Sequence, residues 1–125
     1  WKSIREYIDM TSEIVRGRTM CIFDSVDGYM PLVNDDGRQS ADRFYKMLEL
    51  WDNAYAAAEN DLQKAHVERS RIQVLYYSQF ADMIDAAQRE DYRRQMYEAI
   101  DKYGITYYRE GVNIPAHDGA YPIIK

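Results

Sequence analysis

The chain has little of what usually announces chemistry. Cys21 is the lone cysteine, so no internal disulfide can form, and a buried free thiol is the expectation. Histidine occurs only at positions 66 and 117, too sparsely for the paired Glu-x-x-His motifs that a di-iron helical bundle needs. Gln63, not a glutamate, stands three residues before His66, which is read as a partly exposed hydrogen-bonding residue beside Lys64 and Glu68. The six glycines are scattered singly at turns, which leaves no glycine-rich cradle for a phosphate. No apolar run approaches the ~20 residues needed to cross a bilayer.

Positive charge is also short. Sixteen basic residues against twenty-one acidic ones leave a formal charge of -5 and a pI near 5.0, which argues against sequence-independent binding to nucleic acid, a process driven by clustered Lys and Arg. Arg16 and Arg18, and then Arg89, Arg93 and Arg94, form short basic patches. They are read as solvated helix faces and ends. No cofactor and no metal site is assigned.

What is present is an ordinary globular balance, with 46% hydrophobic and 30% charged residues over 125 positions. That length suits one domain whose core removes roughly two-thirds of the unfolded surface from water. The chain opens on Trp1-Lys2-Ser3 with neither an initiator Met nor a signal segment, so a fragment of a longer polypeptide is expected.

Periodicity predicts four helices in an all-α, antiparallel bundle. Ser3 and Glu6 have capping-box spacing, and Ile4, Tyr7, Ile8, Thr11, Ile14 and Val15 follow a helical repeat that stops at Gly17. From Arg18 to Gln39 the pattern fails among turn residues and Pro31, predicting an ordered but irregular connection. A second helix over roughly Ser40 to Glu59 carries a wide apolar arc from Ala41 through Trp51 to Ala58, enough for more than one neighbour. Asn60 and Gln63 repeat the capping spacing. From there Leu62, Ala65, Arg69, Ile72, Tyr76, Phe80, Met83 and Ala87 predict a single long third helix. A fourth, near Glu90 to Tyr103, has Glu90/Arg94 and Glu98/Lys102 pairs and ends at Gly104. Ile105 to Arg109 suits a short strand, and Gly111, Pro115, Gly119 and Pro122 keep the C-terminal tail extended and irregular.

Candidate chemistry is thin. Asp24/Asp27 and Asp35/Asp36 flank glycines, where short carboxylates bond to local backbone more readily than they serve as an acid–base pair. Cys21 has no histidine that the sequence places beside it as a base. Arg69 falls on the apolar stripe and calls for an acidic partner. The strongest compositional excess is aromatic, with twelve tyrosines and two tryptophans. Aromatic rings anchor interfaces and stack on sugars because they join a large apolar area to a polar tip. Tyr7, Tyr55, Tyr76, Tyr92 and Tyr103 fall on packing faces. Trp1, Tyr77, Tyr97, Tyr107, Tyr108 and Tyr121 remain for the surface, and Tyr77, Tyr107 and Tyr108 are the candidate ligand contacts.

The run Trp51-Asp52-Asn53-Ala54-Tyr55-Ala56-Ala57-Ala58-Glu59, the later Ala65-His66-Val67-Glu68-Arg69-Ser70-Arg71-Ile72 and Tyr76-Tyr77, and the exit Tyr103-Gly104-Ile105-Thr106-Tyr107-Tyr108-Arg109-Glu110-Gly111 resemble the C-terminal helical region of large bacterial glycoside-hydrolase-like proteins. The resemblance spans Ile4 to Gly111 and rests on helix-packing residues. It implies a noncatalytic helical module that packs against a hexosaminidase- or glucuronidase-like barrel, in a secreted or periplasmic protein whose catalytic carboxylates lie on the barrel. It transfers no active-site residue to this chain, and any contact with carbohydrate would come through the parent. A free-standing helical module that holds a glycan or protein partner through exposed Tyr and Trp is the alternative.

Overall fold

The computed structural model describes residues 1–15, 41–109, 112–117 and 120–124. Four helices, α1 (Lys2–Val15), α2 (Ala41–Ala56), α3 (Asp61–Tyr77) and α4 (Ala86–Lys102), are followed by a two-stranded ribbon of β1 (Tyr107–Arg109) and β2 (Val112–Asn113). The fold is the expected helical bundle with an extended tail. The proposed connection after the first helix, with Gly17, Cys21, Pro31 and both aspartate pairs, lies outside the described residues.

α1 starts one residue before the proposed cap. The Arg5 N–H donates to the Trp1 carbonyl at 2.9 Å, so Ser3 sits inside the first turn. The broad apolar arc of α2 is used on two sides, against α1 and against α3. Phe44, Met47, Leu48, Leu50, Trp51 and Ala54 are all buried. Tyr7 of α1 meets the Trp51 ring at 5.0 Å, and Phe44 meets Tyr92 of α4 edge-on at 5.1 Å, the tilted geometries that aromatic quadrupoles favour. Tyr55, assigned to packing from its period, is instead exposed beside Lys64, whose ammonium stands 5.9 Å from the ring. It lies in the last turn of α2, where the bundle ends.

The capping signal before α3 is realised. Asn60 Oδ1 accepts from the Gln63 N–H at 3.0 Å, while Gln63 Oε1 reaches back to the Glu59 N–H at 2.8 Å. The long spine helix is not. α3 stops at Tyr77, a 3-10 turn follows at Ser78–Phe80, and α4 begins at Ala86 rather than near Glu90. Two local interactions account for the break. The Ser78 hydroxyl donates to the Leu75 carbonyl at 2.6 Å, and the Asp85 carboxylate accepts from the Ala87 and Gln88 N–H groups at 3.0 and 3.4 Å. A helix N-cap is thereby formed in the middle of an apolar repeat.

The buried stripe of α3 is also displaced from the expected one. Val67, Val74, Leu75 and Tyr77 are buried, whereas Leu62 is 68% exposed and Arg69 faces solvent. The arginine that needs a partner is Arg71. It bridges three helices, donating from Nε to Asp52 Oδ1 at 2.9 Å and from Nη1 to Gln95 Oε1 at 3.2 Å.

α4 ends as its glycine requires. Gly104 adopts φ +62°, a left-handed conformation in which a Cβ is disfavoured. Its N–H bonds to the Asp101 carbonyl and that of Ile105 to the Ile100 carbonyl, closing a Schellman motif. The intrahelical pairs differ from expectation: Arg94 engages Asp91 and Glu98, and Lys102 crosses to Glu68 of α3 at 2.7 Å.

Candidate ligand-binding groove

Beyond the ribbon the chain returns along α4 as a strap, held by four contacts of different chemistry. The Ile114 N–H bonds to the Thr106 carbonyl at 2.8 Å and starts the return. His117 Nε2 lies 2.8 Å from Asp101 Oδ2, with its ring 4.6 Å from that of Tyr97. The Tyr97 hydroxyl donates to the Pro122 carbonyl at 2.7 Å. Finally the Ile124 N–H donates to Gln79 Oε1 at 3.0 Å, with the Ile124 side chain buried. Gln79 is a buried polar residue of the 3-10 turn, so the helix break described above creates the acceptor that holds the strap.

Between the first half of α4 and this strap runs an open groove of about 630 Å³, lined by Ala87, Glu90, Asp91, Arg93, Arg94, Ala120 and Tyr121. Half-buried Tyr121 forms one wall, its ring 5.4 Å from that of Tyr97 and 6.1 Å from that of His117. On the α4 wall, Arg94 is neutralised by Asp91 and by Glu98, the latter at 2.6 Å. The hydrogen bonds from Arg94 and Gln95 hold the Asp91 carboxyl below the usual aspartate range. Arg93 differs from Arg94. Its Nε is enclosed and without an acceptor, and it enters no ion pair among the described residues. Burial raises the Tyr97 hydroxyl above its usual range, and the Arg93 charge partly opposes that rise.

A second polar cluster crosses from α3 to α4. Burial acts to raise the Glu68 carboxyl, but hydrogen bonds from Lys102 and Tyr103 outweigh it and leave the group below its ordinary value. Its three members satisfy one another. Among the described residues no group of three or more His, Cys, Asp or Glu side chains is placed to hold a metal ion, and no helix is long and apolar enough to cross a membrane.

Of the residues proposed for ligand contact, Tyr77 and Tyr107 differ in exposure. Tyr77 is 7% exposed, which corrects its assignment to the surface: it lies at the end of α3, where the chain turns inward through buried Ser78 and Gln79. Tyr107 is 59% exposed on β1. The Tyr108 side chain lies outside the described residues. Tyr97, also assigned to the surface, is fully buried beneath the strap, and His66 is exposed on α3. Arg93 and Tyr121, the residues that the groove does combine, were visible in the sequence only as members of a basic patch and an aromatic excess. No spacing rule joins positions so far apart. No protein-family profile, curated protein or solved structure matches the chain.

Proposed function

We propose that this chain is a noncatalytic helical module of a larger bacterial carbohydrate-active protein, secreted or periplasmic, and that it packs against and supports a barrel domain. The observation that supports docking is on α1. Trp1, Ile4, Ile8, Thr11, Tyr7 and Met10 form one continuous arc at 100° per residue, yet burial covers only part of it. Tyr7 is buried, while Ile8 is 50% and Trp1 98% exposed. An apolar arc wider than its neighbour in the bundle can cover offers contact area to another domain.

Assay of the chain on a panel of aryl glycosides and polysaccharides should show no turnover above that of a heat-denatured control. Enzyme-dependent release of product would sink the noncatalytic reading. In a polypeptide that joins the module to its barrel, Ile8→Glu should lower the melting temperature of the barrel without reducing helix content. An unchanged melt would remove the docking role.

A second reading, a binding module that uses exposed aromatics, is favoured by Tyr107, which stands out of the bundle on the ribbon. Its signature is glycan or protein binding that is lost in Tyr107→Ala with folding intact.

A further inference from the structure

The groove beside α4 presents opposite charges that do not neutralise each other. Glu90 and Arg93 are three residues apart, a spacing that places both side chains on neighbouring positions of one helix face, and both line the groove. The adjacent residues, Asp91 and Arg94, have the same spacing and are ion-paired. Glu90 and Arg93 are not: neither enters an ion pair among the described residues. Arg93 is half-buried and lines the groove; its Nε is enclosed by the protein, so the outer end of the guanidinium is the part within a ligand's reach. The planar guanidinium fork matches a carboxylate better than any other common group. The exposed Glu90 carboxylate accepts hydrogen bonds only, so it repels a bare anion and favours hydroxyl or ammonium donors. Tyr121 adds its ring to the lining of the open groove.

We propose that this groove binds a small molecule carrying a carboxylate together with nearby hydrogen-bond donors, with Arg93 anchoring the carboxylate, Glu90 accepting from the donors and Tyr121 covering the ring or apolar body. Two kinds of compound have this chemistry, a sugar acid with hydroxyl donors and an amino acid with its ammonium group. The site shares no residue with the docking arc on α1.

The test is titration of the isotopically labelled full chain, followed by amide chemical shifts, with four probes: galacturonate, phenylalanine, galactose and inorganic sulfate. Galacturonate or phenylalanine should shift amides of residues 87–94 and 120–121 saturably, and whichever binds identifies the source of the donors. Galactose, lacking the carboxylate, and sulfate, lacking the donors, should bind at least roughly tenfold more weakly, as expected for loss of a hydrogen bond to a charged group. Arg93→Ala should abolish saturation by the better probe. Because Arg93 is half-buried and its Nε enclosed, Glu90→Gln is the second variant: exposed and unpaired among the described residues, it should leave the melting temperature unchanged and weaken the better probe several-fold, with no loss for sulfate. Absence of saturable shifts with both carboxylate probes would overturn the proposal. So would galactose or sulfate binding as tightly as those probes, or Glu90→Gln leaving their affinity intact.

Discussion

Arg71 Nε stands 2.9 Å from Asp52 Oδ1, joining α3 to α2, while the same guanidinium reaches Gln95 of α4 at 3.2 Å. The arginine side chain is only 20% exposed, so its hydrogen bonds are partly shielded from solvent and its aliphatic stem packs between helices. Arg71→Ala should therefore destabilise the bundle by about 1–2 kcal/mol. Arg69→Ala, on the solvated side of the same helix, should cost less than ~0.5 kcal/mol. Urea denaturation of the two variants checks the contrast, and equal losses would contradict the assigned stripe.

Removal of the cap at Asp85 tests why α3 and α4 are separate helices. Asp85→Ala deletes the acceptor for two backbone N–H groups and should cost about 1 kcal/mol. Asp85→Asn or Asp85→Ser should recover most of that loss in the same denaturation experiment.

Gly104→Ala probes the end of α4. Space is not the obstacle, since nothing lies within 4 Å of the added Cβ. The left-handed backbone at φ +62° is, and it should lower stability by roughly 1–2 kcal/mol. Gly104→Asn should be the mildest replacement, because asparagine tolerates this region.

The Glu68 cluster predicts an acid-sensitive contact. Its folded carboxyl lies below the ordinary value near 4.5, so its contribution is present above that value and is lost as pH falls through the lower folded one. Glu68→Gln should flatten this part of the stability–pH curve and leave the neutral range with only a modest loss. Thermal melts between pH 3 and 7 of the two proteins would read the difference.

Tyr97→Phe isolates one tie of the strap. The ring contacts remain, while the 2.7 Å bond to the Pro122 carbonyl is lost, at a cost of about 1 kcal/mol. Hydrogen exchange at Ile124 should accelerate, whereas the amides of α2 should be unaffected.

The start of α3 and the end of α4 were legible because a cap and a period agreed there, whereas the Ser3/Glu6 spacing placed the start of α1 one residue late. Asn60 with Gln63 marked the start of α3, and Gly104 marked the end of α4. The error in α3 arose where cap and period disagreed. Apolar residues continue through Ile72, Val74, Leu75, Tyr76 and Tyr77 almost without interruption, so their period fixes neither the buried stripe nor the end of the helix. Asp85 with Gln88 carried the capping spacing that would have placed the break. The groove was not legible because it depends on the return of the tail across α4. That path is set by Gln79, Tyr97 and Asp101 meeting Ile124, Pro122 and His117, contacts that no local pattern encodes.

The bond between Gln79 and Ile124 ties the end of the tail, which belongs to no helix or strand, to the helix break. A segment held by a few such contacts opens more readily than packed helices. A guest beneath it would act as a latch, slowing amide exchange near the carboxyl end before any change reached the helices.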